Sequence, residues 1–446
     1  MSANSAPKPG TGISLRSAIA VVVANMVGTG VFTSLGFQVG DLNSGFSILV
    51  LWAVGGVCAF CGALAYGELA ACLPRSGGEY NFLAQTFHPS VGFVAGWLSS
   101  TVGFAAPVAL AAMALSEYFA AMLPILPKLV VSSLCVIAVT WVHSRGVHVG
   151  ARFQNLATVV KVGLILVFLV AGVFMGEHQS LSFLPVEGDW ARITSPQFAT
   201  SLVFVMYAYA GWNAATYIVD EVHRPTRNVP LAIGIGTLAV AALYMALNAV
   251  FLLAAPLAEL KGQVDVGHVA ADHIFGSTGG RIMSALICLG LISSISAMTW
   301  VGPRVTMVLG QDVRMLRWFS ACNVHGVPSR ALWTQMAVVL LLLYTSSFKP
   351  VLGYVQFSIQ FCSFLTVIGL FWLRWKKPQL ARPVRCWGYP VTPLIFLAVS
   401  LWMMVFQVLE TPKESFAGFL TALAGLLLWF LSRSPVSESK GAPPTV

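Results

Sequence analysis

Lys161 is the residue whose chemistry most needs explaining. It lies in Asn155-Leu-Ala-Thr-Val-Val-Lys-Val-Gly-Leu-Ile-Leu-Val-Phe168, an apolar run that reaches bilayer-spanning length when extended to Met175. A cation at that depth has no water to solvate it, so it marks a functional site with a partner. The alternative is a lysine that snorkels to one interface; its place deep within the run argues against that.

Two glycine-broken segments could supply the partner. Ala18-Ile-Ala-Val-Val-Val-Ala-Asn-Met-Val-Gly-Thr-Gly-Val-Phe32 and Ser201-Leu-Val-Phe-Val-Met-Tyr-Ala-Tyr-Ala-Gly-Trp-Asn213 each carry glycine and small residues near the middle. Glycine weakens a helix interior and permits unusual dihedrals. Unwound backbone at membrane depth survives only where it lines a cavity or is buried in protein. Such a break frees N–H groups at the start of one half-helix, which suit a carboxylate. It also frees carbonyls at the end of the other, which suit an ammonium. A zwitterion fits both without a charged side chain. No Asp or Glu stands near the middle of segments 1, 3, 6, 8 or 10, so no acid is expected to point into the pocket. The competing explanation for such glycines is close helix packing. A dinucleotide fingerprint at Gly28-Thr29-Gly30 is rejected, because Thr33 replaces the third glycine and no strand precedes it.

These features need helices that cross a membrane. The chain is 57% hydrophobic and only 9% charged, with mean hydropathy +0.81, far from a soluble domain. At about 20 residues per span, twelve segments are expected near 14–37, 46–72, 91–123, 129–145, 152–175, 196–219, 229–254, 281–309, 329–347, 350–374, 390–410 and 414–432. The expectation is an all-α polytopic membrane protein of the cell (plasma or inner) membrane. Of the 25 Lys and Arg residues, only Lys128, Arg192, Lys261, Arg281, Lys349 and Lys413 fall outside when both termini are cytoplasmic. All others except Lys161 sit at cytoplasmic loops, tails or helix ends, which fixes that orientation by the positive-inside rule. The net charge of +9 therefore reports topology and not nucleic-acid binding. No cleavable signal peptide is expected. The eight cysteines include one C-x-x-C, Cys58 and Cys61, without a second pair, so neither a metal site nor a cofactor is expected.

Paired breaks five segments apart point to an inverted repeat with the site at its interface. Several motifs then coincide in order: Val27-Gly-Thr-Gly-Val-Phe32; Tyr66-Gly-Glu-Leu69 followed by Pro74-Arg-Ser-Gly-Gly-Glu-Tyr80; Tyr207-Ala-Tyr-Ala-Gly-Trp-Asn213; Glu221-Val-His-Arg-Pro-Thr-Arg-Asn-Val-Pro-Leu-Ala-Ile233; and Arg382-Pro-Val-Arg-Cys-Trp-Gly-Tyr-Pro390. On these the chain resembles the amino acid–polyamine–organocation superfamily, and within it the L-type amino acid transporters, from about Ser14 to Phe430.

The resemblance implies a LeuT-type 5+5 inverted repeat with two additional C-terminal helices, twelve transmembrane helices in all, working by alternating access. The parts would be a cytoplasmic tail at 1–13, a first repeat at 14–175, a second at 196–374, helices 11 and 12 within 390–432, and a cytoplasmic tail at 433–446. It implies that Met26, Val27, Gly28, Thr29 and Gly30, with Tyr207, Ala208, Ala210 and Gly211, form the substrate site. N–H groups near Thr29 and Gly30 would hold the carboxylate, and the carbonyls of Met26, Tyr207 and Ala210 the amine. Tyr207 takes the place of the family's aromatic gate, usually Phe. Lys161 matches the family's segment 5 lysine, whose ammonium replaces a coupling sodium ion. It is expected to bridge a segment 1 carbonyl and one of Ser293, Ser294 and Ser296.

The function implied is sodium-independent transport or exchange of neutral L-amino acids, an antiporter in the latter case. The alternatives are a proton symporter or a carrier of cationic amino acids or polyamines. A membrane-embedded enzyme would need a polar catalytic cluster within the spans, and the histidines all lie in loops or near helix ends. A channel or a receptor that does not move substrate is the remaining rival. Glu68 is expected either to pair with a nearby basic residue such as Arg75 or Arg304 at an inner gate or to be a solvated helix-end acid, and Glu117 to face the interface or a vestibule. Asn25 and Asn248 are read as hydrogen-bond glue between helices, and Ser99, Ser100 and Thr101 as pocket lining. Trp212 is read as packing, and His143 and His148 as surface residues. The loop Leu123-Pro-Ile-Leu-Pro-Lys-Leu129 holds no cysteine and Cys135 lies inside segment 4. The family's disulfide-linked accessory subunit is therefore not expected. The partners expected are the amino acid and membrane lipid.

Overall fold

The structure, a computed structural model, describes residues 13–145, 147–175, 179–324 and 326–432, with the backbone alone for 147–158. Tail residues 1–12 and 433–446, and the His148 side chain, lie outside the described residues.

The first span is two helices, α1 (Leu15–Met26) and α2 (Gly30–Leu42). Ser14 caps α1, its hydroxyl accepting from Ser17 N–H at 3.2 Å, as an N-cap serine does. The long apolar α3 (Gly45–Cys72) follows. Then come a short α4 (Glu79–Thr86) and a third span in three parts: α5 (Pro89–Leu98), a π-helical turn at Ser99–Gly103, and α6 (Ala105–Met122). α7 (Lys128–Ser144) and α8 (Val147–Phe174) complete the first half.

A short α9 (Asp189–Ile193) precedes α10 (Pro196–Tyr209), which stops where Ala210 turns to extended backbone and Gly211 takes φ +96°. A Cβ on Gly211 would meet the Asn25 carbonyl carbon and oxygen at 2.9 Å, so both dihedral and space require glycine there. Two 3-10 turns, Ala214–Tyr217 and Val219–Glu221, carry the chain to α11 (Pro225–Ala254). The rest is α12 (Leu257–Leu260), α13 (Val266–Asp312, broken at Gly276), α14 (Ser329–Thr345), α15 (Phe348–Lys376), α16 (Val391–Glu410) and α17 (Pro412–Leu431).

Helix occupies all twelve expected segments. Eight stretches are long and apolar enough to cross a membrane, and the shorter apolar helices are Lys128–Ser144, Val159–Phe174 and Ser329–Thr345. The protein is a multi-pass membrane protein. Among the described residues no strand forms; one isolated bridge joins Ile13 to Val222. α3 packs on α11 and α6 on α13, while α1 lies on α11 and α2 on α10. Small residues allow this closeness: a Cβ on Gly236 of α11 would lie 2.7 Å from Val22. Isoleucine, leucine and phenylalanine side chains cover the exposed outer faces of α16 and α17, as lipid contact requires.

Candidate functional site

Both glycine-marked segments break, and the breaks face each other. α1 ends at Met26 and α2 begins at Gly30; α10 ends at Tyr209. A Cβ on Gly30 would lie 2.3 Å from the Ala208 Cα, so backbone touches backbone here. The first N–H groups of α2 have no intrahelical partner, and Thr29 and Gly30, which carry two of them, border the gap.

That gap is a cavity of about 100 Å3, lined by Asn25, Met26, Gly28, Thr29, Gly30, Tyr207, Ala208, Ala210, Gly211 and Ser294 among others. Such a volume holds several waters or one small solute. Val27, buried beside it, does not line it. Phe104, Pro107 and Ala111 of the third span, Met298 and Val301 of α13, and Ile359 of α15 give the remaining wall its apolar character. Ser99 lines the cavity where the third span turns π-helical, a distortion often found at functional sites. Ser100 does not line it, nor does Thr101, whose hydroxyl donates to the Trp97 carbonyl at 2.7 Å. Trp212 packs edge-on to Tyr66 at 4.6 Å.

Lys161 is 1% exposed. Its ammonium donates to the Ala24 carbonyl at 3.1 Å, to the Val27 carbonyl, and to Ser294 Oγ at 3.3 Å. An ammonium has three protons, and these three acceptors match them. α8, the bend of the first span and α13 thus meet at one cation. Ser296 is turned elsewhere, its Oγ 2.8 Å from His143 Nε2. Ser293 is buried and does not line the cavity.

Tyr207 projects its hydroxyl to within 3.2 Å of Thr29 Oγ1. Tyr244, unremarked in the sequence, places its hydroxyl 2.6 Å from the Met26 carbonyl and 3.1 Å from the Ala208 carbonyl. It meets carbonyls that the two breaks leave without helix partners. A hydroxyl in the middle of a long apolar span, six segments from one break and one from the other, was the signal available for it.

Several expectations need correction. Glu68 pairs with neither Arg75 nor Arg304. It is 1% exposed and accepts from Arg374 at 2.5 Å and from the Cys386 N–H at 2.7 Å, with Arg382 at 3.3 Å. Arg75 instead meets Asp312 at 3.0 Å. The partners of Glu68 lie more than 300 residues away in sequence, which no local pattern could reveal. His143 is not a surface residue: it faces α13 and is 4% exposed. Asn25 and Asn248 do not join helices through their amides. Each donates within its own helix, to the Val21 and Tyr244 carbonyls, both at 2.8 Å. Glu117 keeps its expected partly exposed place, in a second pocket, and there pairs with Lys128. Finally, an acid does line the cavity: Glu79, buried and contacted by Tyr66, Asn213 and Tyr217. It lies in the loop-like stretch after segment 2, outside every expected span, so a search of span centres missed it.

The comparisons with known proteins agree with this architecture. A family model described as amino acid permease matches residues 13–431. The chain is 25% identical over 430 residues to the b(0,+)-type amino acid transporter 1 of Mus musculus, covering 94% of this chain and 87% of that one. It is 24% identical over 431 residues to the Asc-type amino acid transporter 1 of Rattus norvegicus, covering 94% and 80%. Against the large neutral amino acids transporter small subunit 2 of Homo sapiens it is 26% identical over 431 residues, again covering 94% and 80%.

Proposed function

The chain belongs to the amino acid permease family, within the amino acid–polyamine–organocation superfamily, and from that premise we propose that it exchanges neutral L-amino acids by alternating access without sodium. It is a transporter by family and not an enzyme. The observation that carries the finer reading is the pair of facing breaks, with bare N–H groups at Thr29 and Gly30 on one side and carbonyls of α10 on the other. The substrate carboxylate docks on the first and its ammonium on the second. Neutral substrates fit the apolar part of the cavity wall made by Phe104, Pro107, Ala111, Met298, Val301 and Ile359. Sodium independence follows from Lys161, whose ammonium already occupies the oxygens of Ala24, Val27 and Ser294. The LeuT-type inverted repeat and cytoplasmic termini belong to this reading. So does a chain that works without a disulfide-linked subunit, Cys135 lying inside α7.

Counterflow in proteoliposomes tests it. Preloaded unlabelled neutral amino acid should accelerate labelled uptake equally with and without sodium. Uptake that ignores the preload, or needs sodium, overturns the reading. Glu79 favours one second reading, carriage of amino acids with a cationic side chain, because its carboxylate borders the cavity. Competition by lysine or arginine in the same vesicles separates the two.

A further inference from the structure

Glu79 is a buried carboxylate without a counter-charge. It opens α4, is 3% exposed and borders the cavity, and among the described residues it forms no ion pair. A buried acid is costly unless its oxygens are satisfied. Here three neutral donors satisfy it. The Tyr66 hydroxyl at 3.0 Å and the Asn213 amide at 2.6 Å donate to Oε1, and the Tyr217 hydroxyl at 2.5 Å donates to Oε2. Tyr66 belongs to α3, whereas Asn213 and Tyr217 lie in the segment beyond the break of α10. One side chain therefore ties three pieces of the molecule together directly under the cavity.

The surrounding backbone repeats the tie. Gly78 N–H donates to the Thr216 carbonyl at 3.2 Å. Ser76 and Asp220 exchange two hydrogen bonds, at 3.1 and 3.0 Å. Gly78 takes φ +54°, and a Cβ there would stand 2.5 Å from the Tyr217 ring, so glycine is what lets the two segments approach. All these bonds lie toward the face that carries Ile13, whose N–H reaches the Glu221 carbonyl at 2.7 Å. Phe37, on α2, stacks on Phe204 of α10 and Phe348 of α15 at 5.1 and 5.9 Å, and none of these three rings lines the cavity. A polar closure on one side can exchange its donors for water when it opens, at little net cost.

Resting on the transport reading, we infer that Glu79 is a positioning residue for the cycle. Its carboxylate latches the segment after the sixth-span break to α3 and α4, and substrate crosses the Ile13 face only when those bonds part.

The native thiol of Cys362, buried and bordering the same cavity, reports the latch. Oriented vesicles of the full chain are treated with a membrane-impermeant maleimide from one face at a time, and the Cys362 peptide is quantified by mass spectrometry. Glu79→Gln and the milder Tyr217→Phe each weaken a hydrogen bond to a carboxylate, a loss that shifts the closed–open balance about tenfold. Labelling from the Ile13 face should rise by that factor and labelling from the other face should not. Unchanged labelling overturns the latch, and so does an equal rise from both faces, which marks general loosening. So too does loss of cationic amino acid binding alone, which would make Glu79 a substrate contact. If the wild-type vesicles neither bind nor exchange amino acids, the transport reading fails, while the labelling still decides the latch.

Discussion

The Tyr207 hydroxyl and the Thr29 hydroxyl lie 3.2 Å apart, joining α10 to the bend of the first span at the cavity wall. Phenylalanine at 207 would keep the ring and lose this bond. A net hydrogen bond of about 1 kcal/mol corresponds to a roughly fivefold change. Tyr207→Phe should therefore shift the half-saturating substrate concentration in counterflow by about that factor, with the protein still folded. No shift would mean that the Tyr207–Thr29 contact does not bear on binding.

Gly28 and Gly30 sit two residues apart and should respond oppositely to one methyl group. A Cβ at Gly28 meets nothing closer than 3.7 Å, whereas one at Gly30 would overlap the Ala208 backbone at 2.3 Å. Backbone cannot swing aside as a flexible side chain can. Gly28→Ala should bind substrate within a few-fold of wild type, and Gly30→Ala should lose binding or fail a thermal-unfolding test. Equal tolerance at both positions would contradict the close approach of the broken spans.

Removing the Lys161 ammonium takes away the Ala24 carbonyl's donor and leaves the Val27 carbonyl only the long 3.5 Å contact from the Ser294 hydroxyl. Each unsatisfied group costs about 1–3 kcal/mol. Lys161→Ala should reach the membrane yet exchange at least about tenfold more slowly, measured as initial counterflow rates per inserted protein. Full exchange would remove the lysine from the mechanism.

Asp189, outside the spans at the start of α9, gives a pH prediction. Burial alone would push its carboxyl up. The Val186 N–H, the Ser44 and Ser47 hydroxyls and the Arg192 guanidinium outweigh that and hold it down at about 2, from an ordinary 3.8. A group depressed in the folded state stabilises the fold above its unfolded value and loses that effect as pH falls through its folded one. The shift corresponds to about 2 kcal/mol. Asp189→Asn should lower the unfolding temperature at pH 7, and the gap should narrow as both proteins are taken below pH 3.8. A gap independent of pH would show that the charge of Asp189 is not what stabilises the loop.

Sequence alone determined that this chain crosses a membrane many times, where its helices lie, and where two of them break. Those properties follow from the length of apolar runs and from glycine, which act locally. It also singled out Lys161, because a cation in hydrocarbon is anomalous wherever its neighbours are. Its acceptors were expected on segments 1 and 8, but only folding chose Ser294 and turned Ser296 toward His143. Tertiary structure alone decided the partners of Glu68, the burial of His143, the hydroxyl of Tyr244 between two broken spans, and the entry of Glu79 into the cavity floor. Each depends on segments far apart in sequence being pressed together, and the desolvation that makes a polar group matter arises only when that packing has formed.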